Sequence, residues 1–134
     1  MTESTTDQPA LSMAVVVADG KLLMIRRAER EGDLLWALPG GAIEAGEGPE
    51  EAAVREAVEE TGLKVEAESL IGQRVHPKTG RDMSYVACRV VGGEAHVADT
   101  DELDAIAWVT LAEIPEYVPY GLYGPVQEYL EAVL

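Results

Sequence analysis

With 134 residues, 47% of them apolar and 26% charged, the chain has enough apolar material for one domain with a buried core. A formal net charge of −15 argues against a nucleic-acid partner, since a polyanion would be repelled at long range. No run of about eighteen apolar residues is available for a membrane span. The single cysteine, Cys88, cannot close an internal disulfide and suits a reducing cytoplasm. Inside its apolar run it reads as a small buried hydrophobe rather than a nucleophile. Met1 to Ala10 is polar and acidic, without the basic-then-apolar order of a secretory signal. It reads as a disordered tail ahead of a single domain over residues 11–134.

Leu11 to Ala18 is a valine-rich apolar run, and Asp19-Gly20 after it is a strong hairpin signal. Lys21 to Arg27 returns as a second strand, with Leu22, Leu23, Met24 and Ile25 apolar. Its end carries Arg26 and Arg27, whose guanidinium forks suit phosphate and suit water at a basic strand end equally well. Ala28 to Asp33 reads as a charged loop, and Leu34 to Leu38 as a short buried strand stopped by Pro39. Gly40 and Gly41 allow a tight backbone path and close approach of main-chain groups to a ligand. Gly48, Pro49 at the first helical position, and Glu50 and Glu51 at the positive end predict a helix, which Gly62 terminates. Its apolar face is Ala53, Val54, Ala57 and Val58, with Glu56, Glu59 and Glu60 lying off it.

Leu63 to Pro77 suits one or two strands, Lys78-Thr79-Gly80-Arg81 a turn, and Met83 to Val91 a partner strand. The tip of this hairpin would carry Arg74, His76, Lys78 and Arg81, either toward a substrate phosphate or into solvent. Gly92-Gly93 breaks the strand, Ala95 to Val97 extends it briefly, and Asp99 to Asp104 forms a dense acidic loop. Ala105 to Val109 reads as a further strand carrying Trp108. Thr110 and Glu113 make a capping box for a short helix that Pro115 disturbs, and Tyr117 to Gly124 is aromatic and irregular. Pro125 opens a last helix to Leu134, with Val126, Tyr129, Leu130 and Val133 on one packing stripe. The elements predict an α+β fold, a mixed sheet between helices.

The chemistry is concentrated in Gly40 to Leu63, where seven glutamates (Glu44, Glu47, Glu50, Glu51, Glu56, Glu59, Glu60) face one base, Arg55. Spacings of three and four put Glu56, Glu59 and Glu60 on one side of the helix, where like charges repel. A divalent cation removes that repulsion. An all-oxygen set suits Mg2+ or Mn2+, which take the rest of their shell from water and substrate phosphates. These residues therefore point to a metal-dependent enzyme acting on phosphates.

The same stretch resembles the Nudix box, G-x5-E-x7-R-E-U-x-E-E-x-G-U with U apolar. Gly41 and Glu47 open it, Arg55-Glu56, Ala57, Val58, Glu59-Glu60 and Thr61 follow, and Gly62-Leu63 close it. Ala57 is the one soft position, smaller than the usual Ile, Leu or Val. The L-W-A-L-P-G-G lead-in and the element order extend the likeness over Leu11 to Leu134. The resemblance implies an α/β/α sandwich and hydrolysis of a nucleoside diphosphate linked to another moiety. It implies that Glu56, Glu59, Glu60 and the Gly40 carbonyl ligate the metal, and that Arg55 orients the glutamates. Glu47 would pair with Arg55 or support the metal site, Glu56 is the box candidate for the base, and cation-activated water would attack phosphorus. In MutT-like members a later acidic residue joins the site; Glu102, six residues before Trp108, fits that placement best, with Asp99 and Asp101 as rivals.

Substrate choice lies outside the box. A proline about fifteen residues past it marks the ADP-ribose type, and Pro77 lies fourteen past Leu63 (77 minus 63), within the predicted hairpin. The tyrosine of the diadenosine type and the upstream motif of the coenzyme A type are absent. Small size and the MutT-like lead-in favour a nucleoside triphosphate, with an oxidised one included. The alternatives are an ADP-ribose or nucleotide-sugar pyrophosphatase and, from another class, a nucleotide sensor without turnover. Arg26, Arg27, Arg74 and Arg81 are the candidate phosphate contacts. Tyr85, Trp108, Tyr117, Tyr120 and Tyr123 are candidates to stack on a base or to serve as packing. The partner is thus a small nucleotide, and both a monomer and a homodimer stay open.

Overall fold

The computed structural model describes residues 8–31 and 34–134; residues 1–7 of the expected tail, and Gly32 and Asp33, lie outside the described residues. Seven strands and three α-helices are described: β1 (Leu11–Ala18), β2 (Lys21–Glu31), β3 (Leu34–Ala37), β4 (Gly40–Ala42), α1 (Pro49–Thr61), β5 (Lys64–Val75), β6 (Asp82–Gly92), β7 (Leu103–Val109), α2 (Ile114–Tyr117) and α3 (Gly124–Val133). The strands form one sheet in the order β3-β2-β1-β6-β5, with β4 also paired to β1 and β7 to β2. Parallel pairing of β1 with β6 among antiparallel neighbours makes the sheet mixed, as predicted.

The period of two in β1 builds both layers. Val15, with Met13 and Val17, faces a core formed with Leu22, Met24, Tyr85, Val126 and Leu130, the last two from α3. Ala14 and Val16 face the opposite core, with Leu23, Val86 and the α1 residues Ala53 and Ala57. Each fully buried Leu, Val or Met contributes about 1.5–3 kcal/mol relative to exposure, so two such layers hold the sheet between helices. Ala52, Ala53 and Ala57 are fully buried. Ala57, the soft position of the box, is one of the α1 residues packed in the core against the sheet.

Several boundaries differ from expectation, each for a pairing reason. β2 continues to Glu31 through the predicted charged loop, because β3 and β7 both pair with it. Gly40–Ala42 is a strand rather than a turn, laddered to Leu11–Met13 of β1. A Cβ on Gly40 would lie 2.5 Å from the Ser12 carbonyl oxygen, so glycine is what permits this approach. Residues 95–97 form no strand; the His96 and Ala98 amides instead donate to the Thr61 and Glu60 carbonyls, satisfying the end of α1. Pro115 sits in the first turn of α2, where a missing amide costs nothing, and so does not disturb it. On α3, Val126 and Leu130 are buried, but Val133 is 45% exposed at the fraying end of the stripe. The expected tail is tied down at its end: Arg81 donates to the Pro9 carbonyl, and Ile43 N–H to the Ala10 carbonyl.

Candidate active site

β4, the loop after it and α1 assemble the site. Gly48 caps α1 in extended conformation, its amide bonded to the Glu51 carboxylate at 3.2 Å, and Pro49 begins the helix. Gly62, at φ 73°, ends it in the left-handed conformation glycine tolerates. Buried Ser12 of β1 donates to the Pro49 carbonyl at 2.6 Å and pins the helix start to the sheet.

Arg55 is the hub of the exposed side of the site. Its Nε and Nη2 donate to the two oxygens of Glu47 at 2.7 and 2.9 Å, and Nη2 also reaches the Ala42 carbonyl at 3.0 Å. Its Nη1 donates to Glu56 at 2.9 Å and Glu59 at 3.3 Å, and lies 3.4 Å from Glu44. The guanidinium bonds and the Glu44 amide hold the Glu47 carboxyl down at about 2. Glu56 is shifted upward because burial disfavours its charge more than Arg55 favours it.

Glu60 overturns the view that all three helix glutamates lie off the packed face. Its side chain is 3% exposed, turned inward toward β4 and β2. One oxygen accepts the Gly40 amide at 2.8 Å, and the other accepts Arg27 Nη1 at 3.0 Å. Arg27 Nη2 reaches the Gly40 carbonyl at 3.1 Å. Burial pushes the Glu60 carboxyl up to about 7, against the lowering effect of Arg27 and the Gly40 amide.

Five carboxylates thus gather around two arginines. Their charge excess, the half-buried Glu56 and the backbone oxygen of Gly40 form a donor set that fits a hard divalent cation. Gly41 leaves the necessary room, because a Cβ there would sit 2.6 Å from Glu56 Oε1. Among the described residues no three acidic, histidine or cysteine side chains converge on one point. The reason is visible in the hydrogen bonds: Glu56 and Glu59 are directed to Arg55, and Glu60 to Arg27 and Gly40.

The remaining predicted residues are dispersed. Arg26 and Arg27, adjacent in sequence, leave β2 on opposite faces: Arg26 pairs with Asp104 at 2.5 Å and lies 5.6 Å over the Trp36 ring. Arg74 lies over Tyr123 at 4.9 Å and Tyr85 at 5.8 Å, and donates to the Tyr85 hydroxyl at 3.2 Å. Arg81 is occupied with the Pro9 carbonyl, and Tyr120 is 74% exposed. Glu102 is exposed, and its backbone does its bonding, the carbonyl accepting the Ala28 amide at 2.8 Å. Its rival Asp99 spends one oxygen on the Asp101 and Glu102 amides. Tyr85 and Tyr123 stack at 4.9 Å on the α3 face, whereas Trp108 packs on the α1 face. Trp36, edge-on to Tyr117 at 4.9 Å, was not among the expected stacking residues. Its signal was its place opposite Arg26 in a strand pair that composition alone does not register.

The NUDIX domain family pattern matches residues 7–129, spanning the sheet, α1 and most of α3. The chain belongs to the Nudix hydrolase family. It is a hydrolase of the class acting on acid anhydrides, in a family that uses divalent metals. Among its Nudix relatives is a MutT-like protein of Streptomyces ambofaciens, 36% identical over 118 residues, covering 85% of this chain and 73% of the relative. A putative 8-oxo-dGTP diphosphatase of Bacillus subtilis is 35% identical over 98 residues, which cover 73% of this chain and 63% of that protein. The chain thus spans somewhat less than two thirds of the Bacillus relative's length. The crystal structure of an ADP-ribose pyrophosphatase from Streptococcus suis superimposes with a TM-score of 0.71 at 26% identity, covering 92% of this chain and 90% of that one. No described helix is long and apolar enough to cross a membrane.

Proposed function

We propose that this Nudix hydrolase cleaves a nucleoside triphosphate, ordinary or oxidised, to monophosphate and pyrophosphate, with Mg2+ or Mn2+. The observation that carries the hydrolytic reading is Glu60, a buried carboxylate held at the Gly40 backbone and linked through α1 to the Arg55 network. Glu56, Glu59, Glu60 and the Gly40 carbonyl would hold the cation, which supplies charge neutralisation at the phosphates and activation of water. Glu56, whose carboxyl burial shifts upward, would take the proton from the attacking water. Arg55 keeps Glu56 and Glu59 in line and is itself oriented by Glu47. Arg26, Arg27 and Arg74 remain the candidate phosphate contacts; Arg27, itself held at the Gly40 carbonyl, stands nearest the metal set, whereas Arg81 is taken up by the Pro9 carbonyl. Glu102 would serve only by a movement of its loop.

The MutT-like and 8-oxo-dGTP diphosphatase names of two relatives support the triphosphate. The Streptococcus suis structure favours the second reading, an ADP-ribose or nucleotide-sugar pyrophosphatase. Residues 11–134 would act as one domain in the cytoplasm, where the buried thiol Cys88 stays reduced. Incubation with Mg2+ and a nucleotide panel, followed by product identification, decides. Pyrophosphate plus monophosphate supports the proposal, and AMP plus ribose phosphate supports the second reading. Binding without turnover of any member would identify a sensor and overturn both.

A further inference from the structure

Arg27 occupies an unusual position for a residue expected to greet substrate. Its two terminal nitrogens hold the Gly40 carbonyl and Glu60 Oε2, two of the four oxygen groups assigned above to the cation. Arg27 lies four residues after Leu23 on β2, and alternation along the strand carries it to the same, α1-packed face. Glu60 has little spare capacity, since its other oxygen accepts the Gly40 amide at 2.8 Å. A cation drawn to the same two oxygens would have to share them with the guanidinium, where like charges repel.

We propose that Arg27 and the divalent cation exclude one another at Gly40 and Glu60, so that metal loading releases Arg27 toward the substrate phosphate. The inference rests on the metal set proposed above. It makes Arg27 a substrate-binding residue with two alternative sets of partners, and it couples phosphate binding to metal binding in one side chain. It also accounts for Glu60 being directed to Arg27 rather than toward Glu56 and Glu59.

The test is direct titration of Mn2+ into the protein without substrate, at pH 8.5, for wild type, Arg27→Met and Arg27→Lys. Arg27→Met should bind Mn2+ at least threefold more tightly, and its melting temperature in chelator should fall below wild type. Arg27→Lys, which keeps the charge but cannot span two oxygens, should lie between them and guards against misfolding of the first variant. Pyrophosphate, used as a probe, should bind the Mn2+-loaded wild type more tightly than loaded Arg27→Met, with no such difference in chelator. Equal or weaker Mn2+ binding by both variants overturns the proposal. Glu60→Gln separates the two levels: if it binds Mn2+ as well as wild type, the metal assignment itself fails and takes the proposal with it.

Discussion

Glu47 receives the Arg55 guanidinium through both carboxylate oxygens, at 2.7 and 2.9 Å, a fork that fastens the loop after β4 to α1. Only a planar, multidentate cation can do this while also reaching Glu56 and the Ala42 carbonyl. Arg55→Lys preserves the charge and should still lower kcat at least tenfold, because the lysine ammonium cannot hold Glu47 and Glu56 at once. Steady-state kinetics beside thermal melts will separate this from unfolding. Removing the charge as well, in Arg55→Met, should lower kcat further while shifting the melting temperature by only a few degrees, because the network is largely solvent-screened.

Glu60→Gln keeps the shape and the acceptor for the Gly40 amide while removing the charge. Turnover should fall at least a hundredfold with far-UV circular dichroism unchanged. Activity within a few fold of wild type would refute the role assigned to Glu60 in the metal set.

The same carboxyl makes stability in chelator depend on pH with a defined sign. Burial raises Glu60 from 4.5 to about 7, so the folded state holds a proton that the unfolded chain has released across that window. Its contribution is full below pH 4.5 and is lost as pH rises through about 7. Glu47, shifted down to about 2, acts oppositely but only below 4.5. His76, lowered chiefly by burial, works mildly against Glu60 below pH 6.5. The melting temperature in chelator should therefore drop more between pH 5 and pH 8 for wild type than for Glu60→Gln. Parallel curves for the two proteins would contradict the burial argument.

Gly41→Ala tests space rather than charge. The added methyl would sit 2.6 Å from Glu56 Oε1 and push that carboxylate aside. We expect more than a tenfold loss of kcat and weaker Mn2+ binding, with a melting temperature changed by only a few degrees. A variant with wild-type kcat would show that Glu56 is free to work elsewhere.

The hairpin at Asp19-Gly20, the limits of α1 and the mixed sheet were legible because each rests on local rules: turn residues, capping residues and alternating apolar side chains. The Arg55 network was expected only through the resemblance to the Nudix box; helical spacing and a short loop are what bring its members together in the fold. Glu60 was misjudged because an acidic residue next to Glu59 reads as solvated. Its burial depends on Gly40 and Arg27, twenty and thirty-three positions away in the chain. Arg26 and Arg27 were read as one basic pair for want of a partner strand to assign their faces. Asp104, which holds Arg26, could not be told from the other acids of its loop until β2 and β7 were side by side.

The two-residue turn at Asp19-Gly20, with φ of 52° and 74°, has a reach beyond its own corner of the molecule. It sets which β2 residue lies opposite each residue of β1, and that choice propagates along the strand to its arginine pair. Inserting one residue in the turn, if the sheet absorbed it as a slip of β2, would exchange the faces of Arg26 and Arg27. Glu60 of α1 would then lose Arg27 as its partner while every side chain of the site remained in the sequence. A corner at the far end of β2 from the arginine pair thereby acts as a parity bit for their faces, and lengthening it by two residues should be far less harmful than lengthening it by one.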